Sequence, residues 1–215
     1  MTDQSDPGSD SPARGDGVEG APVEPVTMTL AVATGELLGS NGRYEKQLRD
    51  LDGLYRDDSA YRHALAEGDD GPVYWVESST TQRGSGALIT GISVLEPGRV
   101  GDEFAMTRGH LHARSDRAET YLGLSGRGVM VLESVGGESR AIEVIPGRLV
   151  YVPGGWIHRS VNVGDDRFAT LFVYPEDAGQ NYDIIANAGG MKQLIVAQDG
   201  GWTTRANPDH TGYRL

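Results

Sequence analysis

The hydrophobic and polar positions change rhythm near residue 72. From there to about 183 the chain runs in short stretches where apolar and polar side chains alternate, each closed by Gly, Pro or Asp. Alternation of period two places one set of side chains on each face of a strand. The pattern predicts strands over 73–79, 87–95, 103–107, 110–113, 119–124, 128–134, 140–145, 149–152, 158–163 and 167–174. Turn chemistry separates them at Pro97-Gly98, Gly136-Gly137, Pro146-Gly147 and Gly164-Asp165-Asp166. Many short strands so spaced specify a sandwich or barrel, and a double-sheet jelly roll is one such solution. No internal repeat of the whole unit is visible, so a single barrel is expected.

Outside this region the rhythm differs. Residues 26–34 have strand propensity, and 191–198 predict one further strand. The segments 44–55 and 57–67 are expected to form short helices, the second with Asp57, Asp58 and Ser59 available as caps. Residues 1–25 are rich in Asp, Gly, Ser and Pro and carry too few apolar side chains to offset ordering entropy. They are expected to be a disordered leader. The remaining 26–215 then form one domain with its barrel core at about 72–183.

Composition narrows the classes. There is no cysteine, which excludes disulfides, thiolate metal sites and cysteine nucleophiles. No apolar run is long enough for a membrane helix, and the N-terminus lacks a signal-peptide pattern. A cytoplasmic protein with no membrane partner is expected. The formal net charge of −12, with no basic cluster, argues against nucleic acid as a partner. An anionic ligand would need a local pocket of donors.

Candidate chemistry sits on the histidines, of which there are five. His110 and His112 are two apart, so on a strand both imidazoles point to one face. Glu119 follows after a gap long enough for a turn, with Tyr121 on its face. His158 begins the return from a Pro153-Gly154-Gly155 turn. A barrel can bring His110, His112, Glu119 and His158 around one divalent ion. Fe²⁺ is the first choice, with Mn²⁺, Ni²⁺, Co²⁺ and Zn²⁺ open, because three imidazoles and a carboxylate do not discriminate among them by softness. His63 and His210 lie outside the pattern and are expected to be surface residues.

These motifs carry a resemblance. Gly147, Pro153, Gly155, His158 and Asn162 fit the second cupin motif, G-x5-P-x-G-x2-H-x3-N. The first motif is matched by the H-x-H pair, Glu119 and Gly126, with Gly109 directly before the pair and a longer gap to the glutamate. The longer blocks Thr107–His112 and Asp116–Tyr121 resemble the T-x-G-H-x-H…D-R-A-E-x-Y pattern of the cupin-type, archaeal-type glucose-6-phosphate isomerases. Further matches run through Tyr151-Val152-Pro153, His158-Arg159, Val161-Asn162 and Tyr174-Pro175 to Tyr182, so the likeness spans about 26–205.

The resemblance implies an all-β cupin, a double-stranded β-helix barrel with short N-terminal helices, that interconverts glucose 6-phosphate and fructose 6-phosphate. It implies Glu119 as both ligand and proton shuttle, with Tyr121 and Tyr182 as catalytic partners. A metal-assisted hydride shift is the competing mechanism. Tyr74, Ser93, Thr107, Gly109, Tyr174 and Gln180 become candidate substrate contacts, with Thr107 and Gly109 nearest the phosphate. Arg108 could add charge, though alternation can turn it away. Two positions depart from the family. Gln180 stands where the family has histidine, and an amide cannot carry a proton at neutral pH. Ser93 replaces a threonine. Two other classes would use the same ligands: a non-catalytic sugar- or sugar-phosphate-binding cupin and an iron-dependent cupin dioxygenase. Pairing of edge strands makes a homodimer the expected assembly.

Overall fold

The computed structural model describes residues 23–32, 35–68 and 71–214. Most of the expected leader, up to residue 22, lies outside the described residues, as do 33 and 34 at the end of the first expected strand.

Two antiparallel sheets face each other. The larger has six strands in the order Leu149–Val152, Glu119–Ser125, Phe168–Pro175, Leu88–Leu95, Pro72–Thr80, Gly42–Gln47. The second is built from Ser139–Val144, Gly128–Ser134 and Trp156–Asn162. Its far edge is extended by 105–110, which leave regular strand geometry yet bond to the return strand: Asn162 N–H to Ala105 O, Thr107 N–H to Ser160 O, and a reciprocal pair between His110 and His158. Glu103 then pairs with Val196, which brings in the hairpin Gln193–Gln198 and Gly201–Ala206. Inward residues of both sheets, among them Leu95, Tyr121, Met130, Ile157, Phe168 and Phe172, form one buried cluster. The architecture is all-β, with short helices at Asp58–Glu67 and Asp183–Asn187.

The alternation that predicts the central strands is present. In Glu119–Ser125, residues 119, 121 and 123 are buried, while 120, 122 and 124 are half-buried. Outward-facing Trp75, Ile92, Val94 and Ala169 are covered by a small hairpin of Thr29–Ala31 and Glu36–Leu38, with Leu37 buried among them. The helix expected over 57–67 is Asp58–Glu67, capped by the Asp57 carboxylate on Ala60 N–H at 2.9 Å. Gly68, at φ +77°, ends it in the left-handed conformation that favours glycine.

The segment 44–55 is a correction. Instead of a helix, Gly42–Gln47 pairs along the free edge of Pro72–Thr80, and only Leu48–Leu51 turns, as a 3₁₀ helix. The spacing of Leu48, Leu51 and Tyr55 mimics a helical face, but edge pairing outweighs weak local propensity. His210 is a second correction: its Nδ1 contacts Gly190 O at 2.8 Å and its ring packs 4.8 Å from Tyr213. His63 does lie exposed on its helix, 3.1 Å from Glu67.

Two buried polar residues fasten the frame. Glu133 accepts from Lys192 N–H and Gln193 N–H, both at 2.8 Å, and from the Tyr213 hydroxyl, tying the C-terminal segment to the second sheet. Asn162, fully buried, donates to Leu95 O at 3.0 Å and Asp166 O at 2.9 Å and accepts from Gly164 N–H at 3.0 Å. It thereby links the two sheets and shapes the turn between two strands. Asn162→Ala leaves those groups without the partner that replaced water. Urea unfolding should show a loss of about 2–3 kcal/mol with an unchanged slope.

Candidate metal centre

The three histidines and the glutamate come from opposite sheets. Glu119 opens its strand in the six-stranded sheet, paired with Val152. His158 lies in the second sheet opposite Leu132, and His110 is bridged to it backbone to backbone. Gly109 makes that approach possible. At φ +73° it turns the chain into the H-x-H pair, and a Cβ there would stand 2.9 Å from His158 O and 2.8 Å from Ile185.

One ligand atom from each of His110, His112, Glu119 and His158 lies within 4.8 Å of the others. Glu119 Oε2 is 3.0 Å from His158 Nε2, 3.2 Å from His112 Nε2 and 3.8 Å from His110 Nε2. All but His110 are almost fully buried. The Nδ1 atoms of two imidazoles are committed elsewhere: His112 Nδ1 to Arg117 O at 2.9 Å, His158 Nδ1 to Trp156 O at 3.0 Å. A carbonyl there selects the Nδ1–H tautomer and leaves the Nε2 lone pair facing the carboxylate. Nε2 of His110 and of His112 is buried without a hydrogen-bond partner among the described residues. Buried polar atoms are seldom left so. Orphaned, converging nitrogens beside a carboxylate fit a divalent cation.

Electrostatics agree. Burial alone would raise the Glu119 pKa, but the close His112, His158 and His110 imidazoles bring it down to about 2. Burial and the neighbouring His158 hold His110 well below the ordinary histidine range, so it stays a neutral ligand.

A cavity of about 90 Å³ opens beside these residues. The expected contacts Tyr74, Ser93, Thr107, Gly109, Tyr121, Tyr174, Gln180 and Tyr182 all line it, with His110, Glu119 and His158; His112 stands behind the lining. Arg108 lies outside the lining. Its guanidinium sits over the Tyr182 ring, 5.4 Å from the centroid, and bonds Asp183 at 3.0 Å. Thr107 Oγ1 accepts from Ser160 N–H at 3.1 Å, which orients the hydroxyl. Burial first, then nearby anionic groups, raises the pKa of Tyr121 and Tyr174, and burial takes Tyr74 to about 12. These phenols therefore keep their protons and donate.

Sequence reasoning missed Tyr44, Ser78, Arg159, Ser160 and Phe172 in the lining. Arg159 was visible next to His158 but had no assigned task. Fully enclosed, it donates to Arg108 O at 2.8 Å and to Met106 Sδ, and so supports the 106–109 backbone from beneath. The loop between the H-x-H pair and Glu119 is held by Arg117, which grips Asp177 at 2.8 and 2.7 Å, and by Arg114 on the same carboxylate. That clamp joins the ligand loop to the segment carrying Gln180 and Tyr182.

An antiparallel double-sheet barrel with three histidines and one glutamate converging between its sheets is a cupin. The family model described as "Glucose-6-phosphate isomerase (GPI)" matches residues 45–211. A relative from Rhizobium meliloti (strain 1021) is 50% identical over 172 residues, covering 80% of this chain and 86% of its own length. The glucose-6-phosphate isomerase of Sinorhizobium medicae (strain WSM419) is 45% identical over 180 residues, 83% of this chain and 84% of its own. That of Thermococcus litoralis is 40% identical over 185 residues, 86% of this chain and 96% of its own. The chain belongs to the cupin-type glucose-6-phosphate isomerase family.

Removal of one ligand should empty the centre without unfolding the barrel. In His158→Ala, metal per chain measured by plasma mass spectrometry should fall at least about tenfold after dialysis. The far-ultraviolet circular dichroism should stay that of the parent.

Proposed function

We propose that this protein is a metal-dependent aldose–ketose isomerase that interconverts glucose 6-phosphate and fructose 6-phosphate. The observation that carries the reading is Glu119, a buried carboxylate held 3.0–3.8 Å from three imidazoles at the wall of a donor-lined cavity. Family membership supplies the substrate class.

His110, His112, Glu119 and His158 would hold the ion. A bound divalent cation supplies polarisation of the sugar carbonyl and the neighbouring hydroxyl, which acidifies the carbon-bound proton between them. Fe²⁺ is our first choice. Glu119, ionised and fixed, takes the proton from C2 of the open-chain aldose and returns it to C1, while the hydroxyl proton on O2 passes to O1. Tyr121 and Tyr182 donate hydrogen bonds to the sugar oxygens whose charge changes during that transfer. The Thr107 and Ser93 hydroxyls, the Gly109 backbone and Tyr74 form the phosphate end. Tyr174 and Gln180 contact the sugar chain. The exposed outer face of the edge strand Leu149–Val152, with Leu149 and Tyr151 each 62% exposed, is where this reading puts homodimer contacts. The cytoplasm is the compartment this reading assigns.

A coupled assay with fructose 6-phosphate tests the proposal. The metal-loaded protein should turn it over, a chelator should abolish turnover, and divalent metal should restore it. Glu119→Gln, with its metal content measured alongside, should lose at least about 100-fold in kcat. Reaction in deuterium oxide should place deuterium at C1 or C2, whereas a hydride shift leaves both carbons unlabelled. Metal-loaded protein that binds sugar phosphate without turnover would sink the isomerase reading and favour a binding cupin.

A further inference from the structure

The strand Gly42–Gln47 carries a residue that neither the metal centre nor the motif resemblance uses. Tyr44 pairs with Val76 at the edge of the six-stranded sheet. The residue as a whole is 45% exposed, yet it lines the cavity. Its ring meets Tyr74 edge to face at 6.4 Å. Tyr182 lines the same cavity, and its hydroxyl donates to Gln180 Oε1. Tyr182 and Gln180 arrive from the opposite side, on the segment held by the Arg117–Asp177 clamp. Tyr44 from the sheet edge and the Tyr182–Gln180 pair from the other side thus line one cavity, with Tyr44 also open to solvent.

The size of the cavity gives this position of Tyr44 a consequence. About 90 Å³ is well below the roughly 300 Å³ at which small-molecule sites begin. A hexose phosphate therefore enters only if the mouth opens. The part of that wall freest to yield is at Tyr44, because it belongs to an edge strand with a single bonded neighbour. Burial, together with the nearby phenols of Tyr74, Tyr182 and Tyr174, raises the pKa of Tyr44, so it meets the ligand as a neutral donor.

We infer that Tyr44 is a substrate-contacting residue, whose hydroxyl donates to a hydroxyl of the bound sugar phosphate and whose ring closes the mouth over it. The inference rests on the isomerase reading for its ligand, but concerns affinity and not proton transfer. It predicts an effect mainly on KM.

The test uses the metal-loaded full chain with two variants. Tyr44→Phe keeps the ring and removes the hydroxyl; Tyr44→Ala opens the wall. In Tyr44→Phe, KM for fructose 6-phosphate should rise about fivefold, the cost of one neutral hydrogen bond. In Tyr44→Ala it should rise about tenfold or more, with kcat within threefold of the parent in both. Calorimetric Kd for fructose 6-phosphate should rise in parallel, and thermal midpoints and metal content should match the parent. If KM and Kd of both variants stay within twofold of an active parent, the inference is overturned and the isomerase reading stands. If the parent has no turnover, the isomerase reading falls, and the Kd comparison alone decides Tyr44. A parent that binds no sugar phosphate overturns both.

Discussion

The structure depends on one unfavourable act, the burial of the Glu119 carboxylate between two sheets. A lone ionised carboxylate there would cost several kcal/mol, and such a group ordinarily takes up a proton instead. Here three imidazole nitrogens converge on it, two within 3.2 Å. They are not three full positive charges, since burial keeps His110 neutral. One carboxylate among three converging ring nitrogens is an arrangement that a divalent cation completes. Glu119 comes from the six-stranded sheet and the imidazoles from the other side, so the same contact also joins the two halves of the barrel.

The remaining polar contacts act to hold that geometry. Carbonyls of Arg117 and Trp156 fix the tautomers of His112 and His158. Arg159, itself buried, holds the backbone at Arg108, and its charge faces Glu103 and Glu133. The Asp177 carboxylate, gripped by two arginines, fixes the loop that separates the H-x-H pair from Glu119. That loop is longer than the usual motif spacing, and the clamp offsets the extra freedom the length brings. Apart from Arg159, none of these partners lines the cavity a sugar would occupy. They set where the reacting groups stand, and small displacements there are costly to catalysis.

Some of this was legible in the residues and some was not. The central strands and the four converging ligands could be read because they follow from period-two alternation, turn chemistry and short spacings, all local in sequence. Gly42–Gln47 could not be, because its strand character comes from pairing with residues some 30 positions away, and the spacing of Leu48, Leu51 and Tyr55 just after it imitates a helix. That error also hid Tyr44, which on a helix would have had no path to the cavity. His210 was misread for a related reason: its partners, Gly190 and Tyr213, are brought to it only by the closing of the C-terminal segment. Arg159 was in plain view, but nothing in a sequence distinguishes a buried supporting arginine from a surface one.

Gln180 draws these lines together. Histidine at that position could share the proton traffic of the reaction; an amide cannot. Here its carbonyl oxygen accepts from Tyr182, which ties it to the mouth of the cavity and not to the carboxylate. Among the described residues lining the cavity, Glu119 is then the sole carboxylate, and the imidazole nitrogens that face it are taken by the ligand geometry. The phenols are held protonated by burial. In the proposed reaction the carbon-bound proton has one place to go. An amide at 180 would thus concentrate the proposed acid–base work on a single carboxylate and leave the inferred task of enclosing the sugar to Tyr44, at the edge of the cavity.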